Sequence, residues 1–258
     1  MTLPAPLLEA RALSIRTPSA ALVECLELVV NPGDFIAILG RNGSGKTLTL
    51  HTLAALRPAQ GGLVLASGKA LSTLPRRDIA RRIALVPQDL EVTPELSALE
   101  SVLLARYAQH SIWSAGGSID VAHAKASLER LGAASLGGRK LGSLSGGEQR
   151  RVAAAAALAQ GAAVVLLDEP TNHLDPNHAL SVLDAFRDHA AQGGAVIASL
   201  HDPTLAARCA TRVLLLWGDG HWQLGATAEV LNEAVLSELY LTPIIELRTP
   251  TRRVFAPR

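Results

Sequence analysis

Eight consecutive residues, from Gly40 to Thr47, have the types and spacing needed to hold a triphosphate chain. They fit the pattern G-x-x-x-x-G-K-[ST] and lie between a predicted buried strand, Asp34–Leu39, and a predicted helix, Lys46–Leu56. Glycines let the backbone wrap closely around phosphates, and successive N–H groups at a helix N-terminus bind anions, whereas the competing interpretation is a glycine-rich turn that binds nothing. Lys46 would reach the β- and γ-phosphates, and the Thr47 hydroxyl would ligate Mg²⁺. The predicted nucleotide-binding residues here are Gly40, Arg41, Asn42, Gly43, Ser44, Gly45, Lys46 and Thr47.

Two carboxylates follow the apolar run Val164–Leu167, which is typical of a buried strand. We expect this strand to lie beside the phosphate loop and to deliver Asp168 and Glu169 to the same edge of a sheet. Phosphoryl transfer needs a metal, a lysine and an oriented water rather than covalent help from the protein. Asp168 is therefore predicted to hold the hydration shell of Mg²⁺, and Glu169 to polarise the attacking water. Without the phosphate loop upstream, such a strand end would as often be a structural loop.

A third motif, Leu144–Gln149, opens a predicted Ala-rich helix, 145–159. Ser145 as N-cap and Glu148 three residues later form a capping box, which is a sufficient local explanation. Two glycines in the first turn reduce helix propensity, however, and a cap does not require them. They would let a phosphate approach the free N–H groups. The predicted nucleotide-binding residues of this motif are Ser145, Gly146, Gly147 and Glu148.

Composition restricts the classes of protein that fit. The 258 residues include 24 Lys+Arg and 23 Asp+Glu, a net charge of +1, which gives no bulk electrostatic case for nucleic acid or a polybasic membrane anchor. With 48% hydrophobic and 18% charged residues, disorder is unexpected. Cys25 and Cys209 indicate neither a disulfide framework nor a zinc site. The longest apolar run, Val152–Leu167, is broken by Gln160 and is shorter than the roughly 20 residues of a membrane span, and Glu9 and Arg11 argue against a signal peptide.

Strands and helices alternate along most of the chain, which favours an α/β fold with a mainly parallel sheet covered on both faces. A mostly helical stretch, Ser97–Leu136, breaks the alternation and is the candidate insertion. The other predicted strands are Leu7–Ile15, Ala21–Val30, Leu63–Ala66, Ile83–Val86, Ala195–Ser199 and Arg212–Trp217. The other predicted helices are Arg76–Arg82, Ala179–Gln192, Pro203–Cys209 and Thr227–Tyr240, followed by extended segments around Ile244–Ile245 and Arg253–Phe255.

In combination, these motifs resemble the ATP-binding cassette family, the nucleotide-driven subunits of membrane transporters, over about Leu7–Trp217. The resemblance implies a P-loop NTPase with a mainly parallel sheet core, an N-terminal antiparallel β subdomain and an inserted helical subdomain. It implies one domain over 1–258, with the helical subdomain at about 89–145 and a C-terminal β/α extension at about 218–258. ATP and Mg²⁺ are the expected substrate and cofactor.

The resemblance also assigns residue roles. Leu144–Gln149 is the family's signature sequence, Asn172–Asp175 its D-loop, Gln88 its Q-loop glutamine and His201 its switch histidine, although Gln88 and His201 alone would be ordinary surface or structural residues. Gln88 is expected to sense the γ-phosphate or Mg²⁺, and His201 to hydrogen-bond the γ-phosphate and the attacking water. The implied catalytic residues are Lys46, Gln88, Glu169 and His201, and the implied metal contacts are Thr47, Gln88 and Asp168. The family forms head-to-tail dimers with ATP between one subunit's phosphate loop and the other's signature helix.

The segment Asp89–Tyr107 looks like that of importers of ferric siderophores, haem and vitamin B12. That branch implies a homodimer on the cytoplasmic face of the membrane, a separate permease that selects the cargo, and a substrate-binding protein that acts indirectly. We expect the permease to dock between Asp89 and Gly117, where Tyr107 and Trp113 lie. An exporter ATPase and a soluble, non-transport cassette protein remain as alternatives, although exporters often fuse to membrane spans and soluble members usually carry two cassettes.

One departure from the family concerns the base of the nucleotide. Cassettes usually place an aromatic ring against adenine in the loop after the first strand, but no aromatic residue occurs between Met1 and Val30. Arg16 is a candidate substitute because a planar guanidinium stacks on π-systems. The alternative is that Arg16 is only solvated.

Overall fold

A computed structural model describes residues 5–109, 117–249 and 252–258. The β-strands are β1 (Leu8–Arg16), β2 (Ala21–Val30), β3 (Phe35–Gly40), β4 (Gly61–Ala66), β5 (Lys69–Ala70), β6 (Ile83–Val86), β7 (Val164–Asp168), β8 (Ala195–Ser199), β9 (Arg212–Leu216), β10 (Trp222–Ala226), β11 (Ile244–Arg248) and β12 (Arg253–Pro257). The α-helices are α1 (Lys46–Leu53), α2 (Arg76–Ala80), α3 (Ala98–Ala105), α4 (Ser118–Arg130), α5 (Gly146–Gln160), α6 (Pro176–Ala191), α7 (Pro203–Cys209), α8 (Thr227–Val230) and α9 (Glu233–Tyr240).

The central sheet has the strand order β10-β9-β3-β8-β7-β6. All pairs in it are parallel except β9 with β10, which confirms the predicted mainly parallel core. Every residue of β3, β7 and β8 is buried, because helices or a second sheet cover both faces and each strand is a continuous apolar run.

Alternate side chains of these strands build two separate cores. On one face, Phe35, Ala37 and Leu39 of β3 join the cluster formed with α5, α6 and α7. On the other, Ile36 and Ile38 join the cluster formed with α1 and strands β1 and β2. Successive side chains of a strand point to opposite faces, so one short strand anchors both layers.

A second sheet, with the order β2-β1-β4-β5, is antiparallel throughout and confirms the predicted N-terminal antiparallel layer. It packs against the second of these cores through buried residues such as Leu13, Leu26 and Leu28. A separate two-stranded sheet pairs β11 with β12.

Helical elements occupy the predicted insertion. Helices α3 and α4 pack against α5. A capping box of Ser97 and Glu100 begins α3. Trp113, part of the predicted permease contact, lies outside the described residues. Within the ranges that the structure describes, no helix is both long and apolar enough to cross a membrane.

Three predicted helices differ most from the structure in their limits. The predicted helix Thr227–Tyr240 is two helices, α8 and α9, because the extended Asn232 interrupts it and caps α9 by accepting from the Val235 N–H. Helix α1 stops at Leu53 rather than Leu56, since Ala55 has a positive φ of 55°. Helix α6 begins at Pro176 rather than Ala179, because Asp175 caps it and proline is favourable in a first turn.

Strand β10, which pairs antiparallel with β9, was not predicted from the sequence. The connection between them contains Gly218 and Gly220, both with positive φ, a hairpin signal that precedes Trp222.

Candidate nucleotide site

Four strands that lie side by side, β3, β8, β7 and β6, end at one edge of the central sheet. The phosphate loop follows β3, His201 follows β8, Asp168 and Glu169 lie at the end of β7, and Gln88 follows β6. A cavity of about 830 Å³ opens at this edge, and its lining includes Lys46, Thr47, Gln88, Glu169 and His201. Strand β8 lies between β7 and the strand β3 that leads into the phosphate loop. The predicted convergence at one edge nevertheless occurs.

The phosphate loop has the backbone that its glycines predict. Gly43 and Gly45 have φ of 82° and 99°, a region that residues with a Cβ rarely adopt. A Cβ on Gly40 would collide with the Leu216 carbonyl oxygen and with Ser44 Oγ. Gly45 caps α1 without a side chain, so the first N–H groups of the helix face the loop.

Two buried polar side chains of this loop, Lys46 and Ser44, can donate hydrogen bonds to a bound anion. The Lys46 ammonium donates to the carbonyl oxygens of Gly40 at 2.8 Å and Arg41 at 3.2 Å. Burial lowers the pKa of Lys46, and the negative charges of Glu169 and Asp168 oppose that shift. Among the described residues, the buried Ser44 Oγ has no hydrogen-bond partner. An incoming phosphate would satisfy Ser44 and would offer Lys46 a stronger acceptor than a carbonyl.

The predicted magnesium ligands also fit a hard cation. Asp168 is fully buried, and its Oδ1 accepts from Ser199 Oγ at 2.6 Å. Its Oδ2 has no hydrogen-bond partner in the described part of the chain, which is costly for a carboxylate unless a ligand completes it. No group of three or more His, Cys, Asp or Glu residues in that part could hold a metal by itself. One carboxylate with the Thr47 hydroxyl and phosphate oxygens is the kind of donor set that Mg²⁺ uses.

Glu169 is held at both its backbone and its carboxylate. Its N–H donates to Ser199 Oγ at 2.8 Å. Its carboxylate accepts from Gln88 Nε2 at 2.9 Å and from Asn172 Nδ2, and it lies 2.5 Å from His201 Nε2. Thus Gln88 and His201, predicted separately, both contact the predicted water-activating carboxylate.

The backbone of Glu169 is strained, with φ of 49° in the left-handed region. A non-glycine residue remains there only when its surroundings fix it, and such residues cluster at functional sites. The same segment contains a second strained residue, His173, with φ of 62°. The combination of strain, burial and several hydrogen bonds indicates a carboxylate whose position matters for chemistry.

Three residues of this site were not predicted from the sequence: Ser199, Asn172 as a carboxylate partner, and Arg150. Ser199 lies opposite Asp168 in the parallel pair β7–β8, so a polar residue ending an apolar strand was an available signal. Arg150 is only 5% exposed and donates to the backbone carbonyl oxygens of Glu169 and Gln88. Its neighbour Arg151 has the same charge on the same helix, so residue type alone did not distinguish them.

The signature motif lies apart from this cavity. None of the described residues that line the cavity belongs to Ser145–Glu148. The predicted capping box is present: Ser145 Oγ accepts from the Glu148 N–H at 3.3 Å, and the Ser145 N–H donates to Glu148 Oε2 at 2.8 Å. The Ser145 backbone N–H and the Ser145 hydroxyl both donate to the Glu148 carboxylate, and these two bonds lower the pKa of that carboxyl. Ser145 and Gly146 are exposed, so the first turn of α5 is accessible to another molecule.

The end of the cavity that would hold the base is lined by small and aliphatic side chains, Thr17, Ser19, Ala20 and Leu22. Among the described lining residues there is no phenylalanine, tyrosine or tryptophan. Arg16 is not on this wall either, because its guanidinium forms an ion pair with Glu24 at 3.1 Å. The suggestion that Arg16 stacks on the base therefore finds no support in this geometry.

The chain is similar to known proteins in sequence and in structure. A family model described as ABC transporter matches residues 23–172. The hemin import ATP-binding protein HmuV of Pseudomonas aeruginosa is 37% identical over 252 residues, 95% of this chain and 97% of that protein. The cobalamin import ATP-binding protein BtuD of Halobacterium salinarum is 35% identical over 227 residues, 87% of this chain and 56% of that protein. A solved structure described as an inward-facing conformation of a metal-chelate type ABC transporter is 26% identical, with a TM-score of 0.83 and coverage of 99% of this chain and 98% of that chain.

Proposed function

The chain belongs to the ABC transporter family, and from that premise we propose that it is the ATPase subunit of an importer of a metal-chelate compound, such as an iron–siderophore, haem or vitamin B12. Hydrolysis of ATP coupled to transport is the activity of this family. The import of a metal chelate is supported by relatives whose names state hemin import and cobalamin import. The structural neighbour of metal-chelate type supports the same cargo class.

The observation that carries the hydrolytic part of the proposal is the meeting of Lys46, Asp168, Glu169, Gln88 and His201 at one sheet edge. On this proposal the phosphates occupy the loop 40–47, and Lys46 exchanges its bonds to carbonyl oxygens for bonds to the β- and γ-phosphates. Glu169 polarises the attacking water, and His201 fixes both the carboxylate and the γ-phosphate. Mg²⁺ held near Thr47, Gln88 and Asp168 would neutralise developing charge on the phosphate oxygens.

The position of the signature motif supports a second copy as partner. Ser145 and Gly146 are exposed at the start of α5, and neither lines the cavity of their own phosphate loop. A helix N-terminus with free N–H groups attracts phosphate, so this turn is suited to ATP bound by another subunit. We therefore infer a head-to-tail homodimer with two ATP molecules at its interface.

A groove of about 300 Å³ is the proposed contact with the permease. It lies between the segment after β6 and helices α3 and α5, and its lining includes Leu90, Val92, Leu96 and Leu104. Leu104 is 49% exposed and Tyr107 is 54% exposed, so this part of the chain presents apolar surface beside Gln88. A permease segment bound there would act on the glutamine that contacts Glu169, and it would hold the chain at the cytoplasmic face of the membrane. The substrate-binding protein would act through the permease.

The test is reconstitution of the chain with its permease in proteoliposomes, with uptake of haem, cobalamin and a ferric siderophore measured in parallel. The proposal predicts ATP-dependent uptake of one of these compounds and ATP hydrolysis that requires Mg²⁺. Failure of the purified chain to hydrolyse ATP would contradict the enzymatic assignment. Hydrolysis that drives efflux instead of uptake would contradict the importer.

A further inference from the structure

Arg150 is a buried cation whose hydrogen bonds go to the main chain of two other segments. It is 5% exposed on α5. Its Nη1 donates to the Glu169 carbonyl oxygen at 3.1 Å, and its Nη2 donates to the Gln88 carbonyl oxygen at 2.5 Å. One planar guanidinium thus bridges the segment after β6 and the segment after β7.

The charge of Arg150 is not matched by a direct ion pair within the described residues, where its bonds are to carbonyl oxygens. Burial lowers the pKa of Arg150, and the negative charges of Glu169, Asp168 and Asp89 oppose that shift. A buried cation is unfavourable unless it is well hydrogen-bonded, and an apolar side chain would fill the same space at lower cost. A role in packing alone does not account for a guanidinium at this position.

The bonds of Arg150 fix backbone that would otherwise relax. Glu169 has φ of 49°, and Arg150 holds its carbonyl oxygen while Ser199 accepts from its N–H. The second bond fixes the Gln88 carbonyl, and the Gln88 side chain donates to the Glu169 carboxylate. Loss of the guanidinium would free both main-chain segments that set the position of this carboxylate.

Arg150 also connects this carboxylate with the first turn of α5. Gly147 lies one turn before Arg150 on the same helix face. A Cβ on Gly147 would lie 3.0 Å from the His173 carbonyl oxygen, so the start of α5 packs closely on the segment that follows Glu169. The turn that contains the exposed Ser145 and Gly146 is therefore continuous with a helix that packs on the segment following Glu169.

We propose that Arg150 is a positioning residue that couples the first turn of α5 to the placement of Glu169 and Gln88. This inference rests on the proposed function. A nucleotide bound by the partner subunit contacts Ser145–Gly147 and fixes the position of α5. Arg150 then fixes the positions of the Glu169 and Gln88 carbonyl groups, to which it donates. Arg150 touches neither phosphate nor water in this scheme, so its loss affects turnover rather than nucleotide binding.

The experiment measures Mg²⁺-ATPase kinetics and nucleotide affinity for wild type, Arg150→Met and Arg150→Lys. Arg150→Met removes the guanidinium and its two hydrogen bonds but retains much of the side-chain volume. We expect its kcat to fall by about tenfold to a hundredfold, the scale of a small misplacement of catalytic groups. KM for ATP, and the Kd measured with a fluorescent ATP analogue, should stay near the wild-type values. Arg150→Lys keeps the charge, but one ammonium replaces a planar fork, so kcat should fall as well.

A matched control is Arg151→Met, on the same helix. Arg151 is half-buried and donates to the Gly132 carbonyl oxygen at 2.6 Å, away from the hydrolytic residues. Its loss should leave kcat unchanged. Circular dichroism and thermal unfolding establish whether each variant is folded. If Arg150→Met is not folded, Arg150→Lys serves as the test, and the expected result is again a lower kcat with an unchanged Kd for the nucleotide.

A double-mutant cycle tests the route of the effect. Because Arg150 acts through Glu169 and Gln88, Arg150→Met should cost less in a Glu169→Gln background than in wild type. A folded Arg150→Met or Arg150→Lys protein with wild-type kcat, fully additive effects in the cycle, or a loss confined to Kd would each overturn the inference while leaving the proposed function intact. A wild-type chain without ATPase activity would overturn both.

Discussion

At the scale of single residues, Thr17 marks the place where the nucleotide site lacks an aromatic ring. Thr17 lines the cavity, and its Oγ1 accepts from the Ala20 N–H at 3.1 Å. We expect wild type to discriminate only weakly between ATP and GTP, because phosphate contacts then supply most of the affinity. Thr17→Tyr should tighten ATP binding by about fivefold, the low end of the 1–3 kcal/mol typical of base–aromatic stacking.

Parallel titrations of ATP and GTP check this, with Thr17→Ala as the control that loses the Ala20 bond without gaining a ring. If wild type already prefers ATP strongly and Thr17→Tyr does not tighten ATP binding, the absence of an aromatic ring does not limit recognition of the base.

At the scale of secondary-structure elements, the first turn of α5 has both a local and a proposed intermolecular role. Ser145 caps the helix, and Ser97 caps α3 with the same box of hydrogen bonds. Ser145→Arg should abolish hydrolysis, because a bulky cation blocks the approach of the partner's ATP, while nucleotide affinity of the monomer stays largely intact. Ser97→Arg loses an equivalent cap and should retain hydrolysis.

The two variants separate the roles because loss of a cap costs about 1 kcal/mol in either helix. ATPase assays and nucleotide titrations on folded monomers check the prediction. Weaker nucleotide binding by monomeric Ser145→Arg would contradict the placement of this turn at another subunit's ATP.

The C-terminal hairpin, β11 and β12, should lose stability in acid. Hydrogen bonds from Arg253 and Arg248 lower the pKa of Glu246 from 4.5 to about 2. A carboxyl whose pKa is lowered in the folded state contributes to the free energy of unfolding. That contribution is complete above the ordinary pKa of about 4.5 and is lost as the pH falls from there towards 2. The difference in thermal unfolding between wild type and Glu246→Gln should therefore be largest at pH 7 and shrink steadily as the pH is lowered towards 2. A difference independent of pH would contradict the ionic role of Glu246.

Sequence alone predicted the secondary-structure elements and the chemistry of the site better than the order of the strands in the sheet. The phosphate loop was identifiable from its residue types and spacing alone. Glu169 was assigned from its strand-end position together with that loop, and His201 only through the resemblance to the family. The insertion of β8 between β3 and β7 was not identifiable, because strand order depends on crossover connections between distant segments. Arg150 was missed for a related reason: its role exists only through carbonyl groups that are 19 and 62 residues away in sequence.

At the scale of the whole molecule, the groove beside α3 should couple the chain to its permease. Leu104 lines that groove and is 49% exposed. Leu104→Glu should reduce transport and spare basal ATPase activity, because a buried charge opposes docking and the hydrolytic residues are untouched. Leu247 is 54% exposed on β11, outside the described groove lining, and Leu247→Glu should leave transport unchanged. Equal effects of the two substitutions on transport would argue against this docking surface.

On the proposed function, two copies of this chain enclose ATP and Glu169 then activates water. Glu169→Gln keeps the hydrogen-bonding shape of the side chain and removes its ability to polarise water, so kcat should fall by about 10²–10⁴ while ATP still binds. Size-exclusion chromatography with light scattering, in ATP and Mg²⁺, is the most direct test. We expect a stable ATP-bound dimer for Glu169→Gln and a largely monomeric protein without nucleotide. A Glu169→Gln protein that stays monomeric with ATP bound, or that hydrolyses ATP at close to the wild-type rate, would contradict this mechanism.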